Sequence, residues 1–212
     1  MQQIPVEKKY IPILFFLVLT VFLFSKVFWG YYPLTDKDQV NHFSQKVSSA
    51  KYMNQGFFPL WDKNVLSGSP SYKYEVSHNP LNLNALILYV LAPLMGYLNA
   101  YSLLLFFCHF LMGYFTYRFC RRTLRLELVP SLIAGAIYCT NMGMKERIHI
   151  FPGTFVVLPL IIESALQFNH ENKLYKALLN GCLLSLAFYS SSLVSLSWIF
   201  LPFGLLLVFR FA

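Results

Sequence analysis

The chain contains repeated apolar runs that approach or reach the length needed to cross a lipid bilayer. A transmembrane helix takes about 20 predominantly apolar residues, and the first run meets that length. We predict helices at 10–30, 99–117, 129–143, 153–168, 177–195 and 198–210. A serine-rich break separates the last two only weakly, so the pattern predicts an all-α, polytopic integral membrane protein with five or six transmembrane helices.

The composition also indicates that the chain is surrounded by lipid rather than by water. Of the 212 residues, 57% are hydrophobic and only 12% are charged, with a mean hydropathy of +0.52. Typical soluble domains are about half apolar and about a quarter charged, so a soluble globular domain, a disordered chain and a collagen-like chain are all excluded. The net charge of +8 comes from short basic clusters between apolar runs, which favours contact with a membrane surface over nucleic acid.

Motifs for several common chemistries are missing from the sequence. It has no GxxxxGK[ST], GxGxxG, HExxH or GxSxG pattern and no CxxC pair, so P-loop, dinucleotide-binding, metalloprotease, hydrolase and zinc-site interpretations lack their required residues. The four cysteines lie within or beside apolar runs, where we expect them to pack between helices. They are Cys108, Cys120, Cys139 and Cys182.

The distribution of positive charge predicts the orientation. Four arginines lie between 118 and 125, close to a helix end, whereas five lysines are spread over 31–80. Dense positive charge beside a helix end marks the cytoplasmic side, so we place the N-terminus in the cytoplasm. We expect one membrane domain over 1–212, with a first helix at 10–30, an extracytoplasmic loop at 31–98 and the remaining helices within 99–210.

The outer loop is too long to be a simple connection, and we expect it to carry juxtamembrane helices. An apolar stripe at spacings of three and four predicts a helix that lies along the membrane surface, with Thr35 as its N-cap; the stripe consists of Val40, Phe43, Val47 and Ala50. A second apolar stretch, 83–95, is short and contains Pro93, so we expect an interfacial or re-entrant helix broken at that proline.

Two aspartates directly after the first apolar run are the candidate catalytic residues. Asp36 or Asp38 at the outer membrane surface could deprotonate an acceptor hydroxyl or hold a divalent metal beside a lipid-borne substrate. The alternative is structural, because both fall in the first turn of a helix capped by Thr35, where negative charge is favoured.

Other polar residues on the same predicted side are candidates for substrate binding. Lys145 and Arg147, with His149 nearby, could neutralise the phosphate of a lipid-linked donor, or simply contact lipid headgroups. Trp61, Glu75 and His78 could form a sugar platform, although the aromatic residues around them also fit an interfacial belt.

Two polar residues fall inside predicted helices. Glu163 is an intramembrane acid and therefore a functional candidate by default, although it lies near the cytoplasmic end of its helix. We expect His109 to be a hydrogen-bonded packing residue rather than a ligand.

The outer loop resembles the YfhO-like membrane proteins of the GT-C class of glycosyltransferases. The likeness rests on DKDQ at 36–39, GFFPLWD at 56–62, GSP at 68–70 and PLN at 80–82. It continues through His109, the end of that helix from Arg118 to Arg122, and the stretch from His149 to PL at 159–160. The GFFPLWD segment with the glycine and proline that follow is its most specific part.

This resemblance implies transfer of a sugar from a polyprenyl-phosphate donor on the outer face. The acceptor would be a cell-wall or surface glycan such as lipoteichoic acid, and an aspartate of the first loop, with Asp36 the best match, would activate the acceptor or bind metal. Enzymes of this class carry more helices than this chain, which stops at Phe211-Ala212. We therefore expect it to be the N-terminal part of a longer protein, and a non-enzymatic membrane partner or truncated paralogue remains the alternative.

Overall fold

The computed structural model describes residues 10–25, 37–56, 61–62, 69–70, 83–141, 152–166 and 181–184. Within this part the chain is helical apart from one two-residue antiparallel pairing, and the predicted all-α class is confirmed. The elements are α1 (Tyr10–Leu23), α2 (Lys37–Asn54), β1 (Trp61–Asp62), β2 (Ser69–Pro70), α3 (Leu83–Met95), α4 (Tyr97–Arg122), α5 (Leu128–Thr140) and α6 (Pro152–Leu166). Except for one helical turn at 181–184, the helices predicted at 177–195 and 198–210 lie outside the described residues.

Helix α4 is the centre of the bundle. It packs against α1, α3, α5 and α6, and its buried side contributes much of the core, including Tyr101, Leu105, Cys108 and Met112. With 26 residues it is about 39 Å long at 1.5 Å per residue. It is the one helix among the described residues that is long and apolar enough to cross a membrane; the other apolar helices are shorter.

The corner between α3 and α4 is made by Gly96 rather than Pro93. We predicted that Pro93 would break the helix, and this was wrong: α3 runs through Pro93 to Met95. One missing N–H near the end of a helix is tolerated when the neighbouring bonds form, and the Gly96 N–H still donates to the Ala92 carbonyl at 2.8 Å. Gly96 has φ 81, a backbone conformation that glycine adopts readily, and the direction of the chain changes there.

Helix α2 forms where the apolar stripe predicted it, but it packs on other helices of the bundle. Its partners are α3 and the start of α4, where the rings of Phe43 and Tyr101 lie 5.0 Å apart. The predicted stripe is buried only in part: Ala50 is buried and Phe43 packs against the core, whereas Val40 is 49% exposed. Lys46 and Ser49, which are not in the stripe, are buried as well. A lysine can lie on a buried face because its long stem is apolar. A pattern of apolar residues does not predict that such a lysine is buried.

Candidate functional site

Most of the predicted site residues lie outside the part of the chain that the structure describes. They are Asp36, Glu75, His78, Lys145, Arg147 and His149. The backbone of two further candidates is described: Asp38 is the second residue of α2, and Trp61 begins β1. The catalytic and binding roles of all eight residues stay predictions.

The β1–β2 pairing brings together two segments of the chain between α2 and α3. Trp61 lies opposite Pro70, and Asp62 lies opposite Ser69, in antiparallel register. The last two residues of GFFPLWD and the last two of GSP, which are separate in the sequence, therefore pair through their backbones. A backbone pairing across the turn-rich part of the loop gives this segment a defined register.

Lys46 of α2 has the most unusual surroundings of the side chains near the start of α4. It is fully buried, and its ammonium lies over the ring of Tyr101, 5.6 Å from the centroid, within the distance of a cation–π contact. Burial lowers the pKa of Lys46 from its ordinary 10.5 to about 7, against a smaller opposing effect of Cys108. The amine therefore changes charge near neutral pH while it joins α2 to α4.

A second contact holds the C-terminal end of α2 against the first residue of α4. The Asn54 side-chain amide donates to the Tyr97 hydroxyl at 3.2 Å, and the Lys51 ammonium lies 5.7 Å from the centroid of the Tyr97 ring. With the Phe43 and Lys46 contacts to Tyr101, α2 is attached to α4 at several points along its length. The helix that includes Asp38 is thus supported by the bundle.

An ion pair joins α4 to α6 towards the opposite end of the bundle. Arg118 Nε lies 3.2 Å from Glu163 Oε2, and the Glu163 side chain is only 4% exposed, whereas Arg118 is 37% exposed. The contact is ionic, because the two atoms are not aligned as a hydrogen bond. Glu163, which the sequence predicted to be an intramembrane acid, therefore has a basic partner 45 positions earlier, and the spacing of residues did not reveal this partner.

His109 behaves as a packing residue, as predicted. Its Nδ1 lies 2.9 Å from the Leu105 carbonyl one turn earlier, and its ring meets the edge of Phe24 at 5.0 Å. Among the described residues, no group of three or more His, Cys, Asp or Glu side chains could hold a metal ion. Three of the four cysteines are buried in helices, and Cys182 is exposed.

Comparisons with known proteins found no matching family model, no similar curated protein and no solved structure that resembles this chain.

Proposed function

We propose that this chain is a polytopic integral membrane protein. The proposal is supported by the apolar exterior of the helices. On α1 a narrow stripe is buried, at Pro12, Phe16 and Thr20, while nearly all the remaining large apolar side chains are exposed. On α5 the exposed side chains recur every four residues, at Val129, Ile133 and Ile137. An apolar surface of this extent requires a covering, and lipid is the simplest one.

The interior of the bundle also supports a membrane protein, because it contains polar groups that would be unfavourable on a surface facing lipid. The buried polar and charged residues are Thr20, Lys46, Ser49, Ser102, His109, Ser131, Glu163 and Ser164. Several bond to their own helix: the Thr20 hydroxyl donates to the Phe16 carbonyl at 2.7 Å, and the Ser131 hydroxyl donates to the Glu127 carbonyl at 2.7 Å. Polar groups inside and apolar groups outside are typical of a helical membrane bundle.

Within this membrane protein we propose a glycosyltransferase site of the GT-C type at the outer end. The support is the attachment of α2 to α4 through Lys46 and Tyr101. Asp36 precedes the first residue of α2 in sequence, and Asp38 follows it. A catalytic group beside a helix fixed by buried contacts is held more precisely than one on an unsupported loop.

The proposed reaction is a single displacement. The carboxylate of Asp36, the better match of the two aspartates, takes the proton of an acceptor hydroxyl, whose oxygen forms a bond to the anomeric carbon of the donor sugar. The bond between that carbon and the phosphate oxygen breaks, and its electron pair leaves with the polyprenyl phosphate. One displacement inverts the anomeric configuration. Lys145 and Arg147 would stabilise the charge of the departing phosphate.

The test is transfer from a defined donor in membranes that contain the chain. The donors are undecaprenyl-phosphate glucose, galactose and N-acetylglucosamine, each labelled in the sugar, and the acceptor is lipoteichoic acid. We expect transfer from one of them, and Asp36→Asn should lower the rate at least 100-fold, the lower range for loss of a general base. Asp62→Asn serves as a matched control on the same loop and should keep the rate of the unaltered chain.

Membrane insertion is measured on the same samples, by resistance to alkaline carbonate extraction, and should be equal for all three chains. Absence of transfer from every donor, or an Asp36→Asn chain that works at the unaltered rate, would contradict the enzymatic proposal and support the non-enzymatic membrane partner.

A further inference from the structure

The end of α4 and the turn that follows it, residues 121–126, combine exposed basic and exposed apolar side chains. Arg122 and Arg125 are exposed, and they alternate with Leu124 and Leu126, which are 49% and 37% exposed. Leucines and arginines interleaved in this way suit the boundary between lipid headgroups and acyl chains, where each type meets its preferred surroundings. We call residues 121–126 the arginine turn.

The backbone of the arginine turn is held by its own hydrogen bonds. The Arg121 guanidinium donates to the Leu126 carbonyl, and the Leu126 N–H donates to the Cys120 carbonyl at 3.1 Å. Arg125 has φ 56, a left-handed conformation that is uncommon for a residue with a long side chain. The exposed arginines are therefore carried on a folded turn.

The charges near the turn leave a basic surplus. Arg118 is paired with Glu163. The arginine turn carries three further positive charges, on Arg121, Arg122 and Arg125, and the neighbouring exposed Glu127 supplies one negative charge. The surplus of exposed guanidinium groups favours an anion here.

We propose that the arginine turn binds the phosphate of an anionic phospholipid. Guanidinium groups match phosphate oxygens in bidentate geometry, and basic residues at the end of a membrane helix attract anionic lipids. The exposed Leu124 and Leu126 favour a lipid over free phosphate, because acyl chains would cover them. The proposal uses the membrane insertion proposed above and is independent of the transferase activity.

The test is a lipid titration of the full chain in detergent, followed by native mass spectrometry. The probes are short-chain phosphatidylglycerol, short-chain phosphatidylcholine and inorganic phosphate, so no sugar donor is present and failure of transfer cannot affect the result. The variant is Arg122→Gln with Arg125→Asn, since asparagine tolerates positive φ. Each basic residue near an anionic surface contributes roughly fivefold to affinity, so we expect phosphatidylglycerol to bind the variant about 25-fold more weakly.

The matched control is Lys37→Gln with Lys51→Gln, which removes the same charge from α2. Lys51 lies beside Tyr97, at the start of α4, which is about 35 Å from Arg122 along the axis of that helix. The control should change the affinity for phosphatidylglycerol less than twofold, and the helix content of both variants should equal that of the unaltered chain. Equal losses in the two variants, equal affinity for phosphatidylcholine and phosphatidylglycerol, or phosphate binding as tight as phosphatidylglycerol would each overturn the proposal. A chain extracted by alkaline carbonate would instead contradict the membrane proposal itself.

Discussion

Gly135 of α5 lies against the backbone carbonyl of Gly113 of α4, so closely that a Cβ on Gly135 would stand 2.5 Å from the Gly113 oxygen. The Phe16 ring of α1 fills the remaining space, because the same Cβ would also lie 2.5 Å from Phe16 Cζ. Close approach through small residues is a common way for membrane helices to pack. Three helices therefore meet at a point that leaves no room for a methyl group.

We expect Gly135→Ala to destabilise the bundle. Relieving the contact with a backbone oxygen requires a shift of α5 against α4, and overpacking of this kind costs about 1–3 kcal/mol. Thermal unfolding in detergent measures the change. Gly181→Ala is the matched control, because a Cβ at Gly181 meets nothing within 4 Å; equal stability of the two variants would contradict the packing described at Gly135.

We expect the contribution of Lys46 to the stability of the bundle to rise with pH between about 7 and 10. Burial places its folded-state pKa at about 7 against 10.5 in the unfolded chain, so the unfolded chain binds more protons in this window. The cost of burying the amine at pH 7 is on the order of 4 kcal/mol, and it declines as the pH rises. Well below pH 7 the amine is protonated in both states, so the contribution of Lys46 to the free energy of unfolding no longer changes with pH.

The measurement is thermal unfolding from pH 6 to pH 9.5 for the unaltered chain and for Lys46→Met. Methionine keeps much of the stem without the charge, so the variant should lose the part of the pH dependence that comes from this group. Lys51→Met, at an exposed position of the same helix, should keep it. A pH dependence in Lys46→Met equal to that of the unaltered chain would contradict the role of the buried amine.

Loss of Arg118 and loss of Glu163 should lower the stability of the bundle by different amounts. Arg118→Gln leaves a carboxylate that is 4% exposed without this cation, whereas Glu163→Gln leaves a guanidinium that is 37% exposed and reaches water. Removing the partner of a buried charge costs about 3–5 kcal/mol, and exposed pairs contribute about 1 kcal/mol or less. We therefore expect Arg118→Gln to be the more destabilising change in chemical unfolding.

The double variant Arg118→Gln with Glu163→Gln serves as the control for that comparison. It removes both charges and should recover part of the stability lost in Arg118→Gln. Equal effects of the two single variants, with no recovery in the double variant, would mean that the pair is not coupled.

The apolar pattern predicted the central helices well. The prediction of 99–117 corresponds to α4, that of 129–143 to α5 and that of 153–168 to α6, because runs of apolar residues bounded by charges are a local signal. The first helix was predicted to reach residue 30; α1 ends at Leu23, and 26–30 lie outside the described residues.

The features that the sequence did not predict depend on partners far along the chain. Lys46 is buried over Tyr101, 55 positions later, and Glu163 pairs with Arg118, 45 positions earlier. A charged residue in a pattern is normally assigned to the exposed face, and only the packed structure identifies the ring or the opposite charge that permits its burial. The number of membrane crossings stays a prediction, because α4 is the one helix in the described part that has the length and composition to cross a membrane.

If α4 spans a membrane as proposed, its two ends lie on opposite sides of that membrane. The most direct measurement labels single cysteines in a chain whose four native cysteines are replaced by serine, using a maleimide that cannot cross membranes. Lys51→Cys, beside Tyr97 at the start of α4, should react in intact cells, whereas Glu127→Cys, just beyond Arg122 at its end, should react only after permeabilisation. Reaction of both positions in intact cells, or of neither, would contradict a membrane-spanning α4.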